Sequence, residues 1–178
     1  MPDQTGRKMT QTTIFPDFEN LGDAVAYAEK IRQVVGHNAL FDDFTVADLE
    51  HLGPYMQVYR APAHGVIISE GERGDFMAFT IDGLVDVTKK DRWDVVKRIA
   101  VVQAGAALGE MSMIDGEARF ASCAAIEDTT FVVLTRAKLQ ELITKEPRLA
   151  SKILMKLVYM LSQRLRQTSA KLVNYLEK

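Results

Sequence analysis

The strongest constraint on the fold is a run of short β-favouring segments in the middle of the chain. They are Met56–Tyr59, Gly65–Ser69, Phe76–Ile81, Leu84–Thr88, Val95–Val102, Phe120–Ala125 and Thr130–Leu134. Turn signals divide them: Gly71 and Gly74, Asp82-Gly83, Lys89–Asp91, Gly105, Gly109 and Asp115-Gly116. None of these segments is long enough to bury its own apolar face. Together, with glycine between them, they predict an all-β unit: a sandwich, a jelly roll or a barrel. No internal repeat is visible.

Helical patterns flank this unit. Residues 1–18 read as a flexible tail, and 1–13 are polar apart from Met9 after the start. Leu21, Val25, Ala28, Ile31, Val34 and Val35 then recur at helical spacing, with Gly36 as a stop. Thr45 is a candidate N-cap for a short helix that Gly53-Pro54 ends. Residues 21–53 are therefore expected to be helical and 54–135 to form the β unit. Helices return over 136–177, where Thr135 can cap the first. Pro147 opens the second, and no Pro or Gly follows it. Residues 147–177 predict one helix of roughly 45 Å at 1.5 Å per residue. Its seam runs Leu154, Val158, Leu161, Leu165, Thr168, Leu172, Tyr175, an a/d pattern over three heptads that calls for a partner helix. An amphipathic helix packed only on its own core is the plainer alternative.

Composition narrows the function classes. The chain has 178 residues, about one domain's worth, with 47% hydrophobic and 26% charged residues. Lys and Arg total 22 against 24 Asp and Glu, a net charge of −2, which disfavours unspecific binding of nucleic acid. The basic residues Lys152, Lys156, Arg164, Arg166 and Lys171 read as a solvated helix face. The single cysteine, Cys123, excludes an internal disulfide. No secretory signal and no apolar stretch of spanning length is visible. The expectation is a soluble, cytoplasmic protein.

Chemistry concentrates in Gly105-Ala-Ala-Leu-Gly109-Glu110-Met111-Ser112 and, after Asp115-Gly116, Arg119-Phe120-Ala121-Ser122. A strand passes through glycine into one helical turn whose first N–H groups are free to meet an anion. Gly109 lets backbone approach a ligand closely. Arg119 can fork onto a phosphate, whereas ionised Glu110 only accepts and suits hydroxyls. The set fits a sugar phosphate. It fits equally well an ion pair between Glu110 and Arg119 that ties the turn to the next strand.

These residues resemble the cyclic-nucleotide-binding domain family, whose phosphate cassette reads roughly G-x-x-F-G-E-[LM]-[AS]-L…P-R-x-A-[TS]. Gly105, Gly109, Glu110, Met111, Ser112, Arg119, Ala121 and Ser122 match it. The earlier stretch from Glu70-Gly71 through Gly74-Asp75 to Ile81, Gly83, Val85 and Val87 resembles the family's E-G-x-x-G-D…I-x-x-G-x-V-x-V. Leu108, Ala118 and Phe120 depart from the pattern. The resemblance implies a mainly β fold, an eight-stranded jelly-roll barrel with flanking helices. It implies ligand contacts at Gly109, Glu110, Met111, Ser112, Arg119, Phe120, Ala121 and Ser122. Residues 164–176 are also similar to the dimerisation helix of the catabolite activator family, where a Thr-Ser pair contacts adenine. That resemblance adds Thr168 and Ser169 and makes the helix a dimerisation helix.

The combined expectation is a cyclic nucleotide sensor with no catalytic role, metal or cofactor. Its ligand would be cyclic AMP, with cyclic GMP second because Phe120 lacks a hydroxyl. It would form a homodimer and signal to a downstream protein that the sequence does not name, without direct contact to DNA or membrane. Two alternatives stand beside it: a dimeric adaptor whose pocket has lost its ligand, and the sensor part of a transcription regulator, since a helix-turn-helix domain follows this helix in the activator family. A cupin-type enzyme would need clustered metal ligands, and His37, His51 and His64 show no H-x-H spacing.

Overall fold

The computed structural model describes residues 14–36 and 40–176. Most of the expected tail, residues 1–13, lies outside the described residues, as does His37. Among the described residues nine strands form: β1 (Glu19–Asp23), β2 (Gln57–Ala61), β3 (Val66–Ile68), β4 (Phe76–Asp82), β5 (Leu84–Lys90), β6 (Val96–Gln103), β7 (Ala107–Leu108), β8 (Ser122–Ala125) and β9 (Thr129–Thr135). Five α-helices accompany them: α1 (Ala28–Val34), α2 (Val46–Leu52), α3 (Glu110–Asp115), α4 (Arg136–Lys145) and α5 (Pro147–Leu176). The expected run 147–177 thus appears as α5, and residue 177 lies outside the described residues.

The expectation of a mainly β, eight-stranded jelly-roll barrel is corrected. The chain is mixed α/β, and its strands form two open antiparallel sheets, ordered β1-β2-β9-β4-β7 and β3-β8-β5-β6. No sheet among the described residues closes on itself. Closure needs the outer strands to pair, and here they are too short or too distant in order. β7 contributes two residues and β3 three, while β1 and β7 end opposite edges of one sheet. The sheets meet through side chains instead. Tyr59, Phe131, Val133 and Ala78 from one interdigitate with Ile67, Ile68, Val85, Cys123 and Ala125 from the other.

The five-stranded sheet is covered on both faces, and its sequence shows why. Along β4, Phe76 and Ala78 face the second sheet while Met77, Phe79 and Ile81 face the helices. Along β9, Phe131 and Val133 alternate with Val132 and Leu134 in the same way. A strand buried on both faces reads as a continuous apolar run, which both segments are. The helical side is filled by Ile31, Leu49, Leu52, Leu142, Leu149, Ile153 and Leu157.

The N-terminal region differs from its helical expectation. Glu19–Asp23 is an edge strand paired with β2, a 3₁₀ turn covers Val25–Tyr27, and helix begins only at Ala28. Asn20 and Asp23 side chains accept from the N–H groups of Gly22 and Val25, local bonds that compete with helix here. Helix α2 starts as expected. Thr45 accepts from the Asp48 N–H, and Asp48 returns the bond to the Thr45 N–H. Helix α5 buries Leu149, Ala150, Ile153 and Leu157 in the core, with Met160 packed against it and Leu161 half-buried. Much of the rest of the seam is uncovered: Leu165 is 69% exposed, and Val158, Leu172 and Tyr175 are exposed too.

Candidate functional site

Helix α3 sits between two left-handed glycines, Gly109 at φ 74° before it and Gly116 at φ 80° after it. A left-handed backbone admits glycine at little cost. At Gly109 space is also scarce: a Cβ would lie 2.5 Å from Arg119 Nη1. The far end of α3 is held by Arg136, whose Nε donates to the Met113 carbonyl at 2.7 Å and Nη2 to that of Ser112 at 2.8 Å. A cation at the C-terminal carbonyls satisfies groups the helix leaves open.

Arg119 lies on the loop before β8. Its backbone N–H donates to Glu72 at 2.8 Å, and its carbonyl accepts from Gly71 at 2.9 Å. The two family-like motifs are thus joined by main-chain bonds. Arg119 is only 4% exposed. Nη1 donates to the Gly109 carbonyl at 2.7 Å and Nη2 to the Phe76 carbonyl at 2.8 Å, and the Phe76 ring lies beneath at 4.4 Å. Burial pulls its pKa below the usual value, against the opposing charges of Asp75 and Glu110. Among the described residues, no carboxylate lies within ion-pair distance of it.

Glu110 does not pair with Arg119. It is 2% exposed, and its Oε1 takes an ion pair from Arg164 Nη1 of α5. Arg164 Nη2 also donates to the Ala107 carbonyl at 3.0 Å. The open choice between ion pair and ligand set therefore gains a third member. The carboxylate is held by the long helix, and the buried arginine is left to carbonyls. Sequence reasoning placed Arg164 in a solvated basic stripe. Three of those five cations are paired: Arg164 with Glu110, Lys152 with Asp48 and Lys156 with Asp42. The available signal was position, since Arg164 is one turn from both Leu161 and Thr168 on the same face.

Between α3, the β6 face and α5 lies a cleft of about 670 Å³. Gly109, Glu110, Met111, Ser112, Arg119, Phe120 and Ala121 line it from one side, and Leu161, Arg164, Leu165 and Thr168 from α5. Phe120 is 56% exposed at the cleft, where Lys89 Nζ stands 4.1 Å over its ring and bonds its carbonyl at 2.7 Å. Two expected residues stand apart. Ser122 accepts from the Glu70 N–H at 2.9 Å, and Ser169 is on the exposed surface of α5 outside the cleft lining. Cys123 is buried in the lining, and burial with the nearby Glu110 charge pushes its thiol up to about 12. Among the described residues no group of three or more His, Cys, Asp or Glu side chains is placed to hold a metal ion. No helix among them is long and apolar enough to cross a membrane.

The cleft thus brings together a buried guanidinium and a carboxylate at the start of a glycine-bounded turn. Residues 58–146 match the cyclic nucleotide-binding domain family, and the chain belongs to it. That family is one of regulatory sensor domains rather than catalysts. The chain is similar to the crystal structure of a cyclic nucleotide-binding domain from Methylobacillus flagellatus, with 38% identity, a TM-score of 0.81 and 93% of each chain covered. It is also similar to the Thermus thermophilus catabolite activator protein, with 26% identity, a TM-score of 0.70, and coverage of 76% of this chain and 62% of that one. A cyclic nucleotide-gated potassium channel of Mesorhizobium japonicum is 30% identical over 66% of this chain and 31% of its own length. The chain thus spans about a third of the length of the curated relatives it matches.

Proposed function

We propose that the chain is a cytoplasmic cyclic AMP sensor that signals through α5, as a homodimer, to another protein. The observation that carries the ligand reading is Arg119, buried in the cleft with carbonyls as its partners and no carboxylate at hand. A buried charge is costly until it meets a counter-charge. Its fork retains donors beyond the two bonds it makes, and a cyclic phosphate supplies the matching oxygens. Gly109, Ser112, Ala121 and Ser122 shape the turn and strand around that position. Glu110 then accepts from the ribose 2′-hydroxyl. Because Arg164 already holds Glu110, a ligand at the carboxylate acts on the contact that ties α5 to α3.

Thr168 in the cleft lining can accept from the adenine amino group. Ser169, facing outward, is available to the base bound by a second copy. The exposed seam of α5 supports that second copy as its cover. A ligand that favours one helix arrangement shifts the population of that arrangement, which a downstream protein can read.

The test is calorimetry with cyclic AMP and its 2′-deoxy form. A hydrogen bond to a charged group is worth about 1.5–3 kcal/mol, so the deoxy ligand should bind wild type roughly ten-fold or more weakly. Glu110→Gln should shrink that difference. Equal discrimination by both proteins would remove the carboxylate from ribose recognition.

A further inference from the structure

Phe15 lies before the first strand, far in sequence from the phosphate cassette, and yet it is 9% exposed. Its ring is the hub of an aromatic cluster. It meets Phe76 at 5.2 Å and 77°, Phe131 at 5.4 Å and 88°, Tyr59 at 5.1 Å and 71°, and stacks on Phe18 at 5.1 Å. Phe76 holds Arg119 twice, through its carbonyl at 2.8 Å and through its ring face at 4.4 Å, beside the bond to the Gly109 carbonyl. A second cleft, of about 350 Å³, runs beside this stack and is lined by Phe15, Phe18, Gly74, Phe76 and Arg119. It shares only Ile68 and Arg119 with the first. The guanidinium is thus reached from two sides, by the nucleotide cleft and by the N-terminal segment.

We infer that Phe15 is a positioning residue for Arg119, acting through the Phe15–Phe76–Arg119 stack. This rests on the reading of Arg119 as the phosphate ligand. The edge of one ring against another fixes its orientation, and a fixed Phe76 face fixes the plane of the cation above it. The N-terminal segment therefore completes the phosphate site from behind without touching the ligand. Its docking sets how well the fork is aimed.

The experiment compares wild type with Phe15→Ala, Phe15→Leu and Phe15→Tyr. Folding is checked by thermal unfolding, cyclic AMP affinity by calorimetry, and the Arg119 side chain by its Nε–Hε resonance in ligand-free protein. Phe15→Ala should weaken cyclic AMP binding roughly three- to ten-fold, the scale of one aromatic pair, and Phe15→Tyr should restore it. In an Arg119→Ala background Phe15→Ala should change affinity by less than about two-fold, as a double-mutant cycle requires of a residue acting through Arg119. The Nε–Hε resonance should shift in Phe15→Ala and return in Phe15→Tyr. Unchanged affinity, an equal loss in both backgrounds, or an unmoved resonance would overturn the inference. If Phe15→Ala fails to fold, Phe15→Leu, which fills the space without an aromatic edge, carries the same expectations. A wild type that binds no cyclic nucleotide would sink the phosphate reading, and the resonance would still decide whether Phe15 positions Arg119.

Discussion

Gly74→Ala separates the binding role of Arg119 from its contribution to stability. Gly74 has no positive φ, so its backbone accepts alanine. The new Cβ would stand 2.7 Å from Arg119 Cζ, and closer still to Nε and Nη2, where ordinary contact begins at 3.4 Å. The guanidinium must retreat by about 1 Å to clear its nearest atoms, and it is held by two bonds of 2.7 and 2.8 Å and by the Phe76 ring. Overpacking of this kind costs about 1–3 kcal/mol. For a chain of this size that lowers the melting temperature by roughly 2–4 °C per kcal/mol. The displaced fork should lose cyclic AMP affinity by about ten-fold or more, because bidentate geometry is what it supplies. Gly22→Ala is the matched control. Gly22 has φ +93° and no neighbour within 4 Å, and it pairs with Val58 on the edge of the sheet, so alanine there strains the backbone without a bond to Arg119. Calorimetry and thermal unfolding of both variants should show affinity reduced in Gly74→Ala and stability alone reduced in Gly22→Ala. Wild-type affinity in a folded Gly74→Ala protein would refute the placement of Arg119 as phosphate ligand.

Further expectations follow from α5 and its anchors. Arg164→Met should lower ligand-free stability by about 1–2 kcal/mol, below the range for a fully buried pair because the Arg164 side chain is 48% exposed; an unchanged melting temperature would show that the Glu110 contact holds nothing. Leu161→Glu with Leu165→Glu should convert a dimer to monomers in analytical ultracentrifugation, and a wild-type monomer at tens of micromolar would contradict the seam. Asp48 is held down to about 2, first by its bond from Lys152 and next by the Thr45 N–H. A depressed folded-state value stabilises above the unfolded pKa, near 4, and that contribution disappears as pH falls toward 2. Asp48→Asn should therefore be less stable than wild type at pH 6, with the gap closing by pH 2 in urea titrations; a gap independent of pH would exclude the ionic contribution.

Much of the fold was legible because its chemistry is local. β4 and β9 announced themselves as apolar runs, and the N-cap at Thr45 and the Pro147 start of α5 are written in single residues. β1 was not legible. Its sequence is polar, and what makes it a strand is main-chain pairing with β2, which no periodicity records. The open sheets were hidden for a related reason, since whether outer strands pair depends on lengths and order that only the assembled chain reveals. In the site, Gly109, Glu110 and Arg119, close in sequence, line one cleft. The Glu110–Arg164 pair, which crosses from α3 to a helix 54 positions later, was beyond local pattern.

The most direct test of the central claim is calorimetry of the wild-type chain with cyclic AMP, cyclic GMP and cyclic di-GMP under one buffer. A single site binding cyclic AMP most tightly, cyclic GMP more weakly and cyclic di-GMP least, with affinity for cyclic AMP falling thirty-fold or more in Arg119→Ala as truncation of a buried charge partner requires, is the predicted result. No binding of any of the three, or binding indifferent to Arg119, would contradict it.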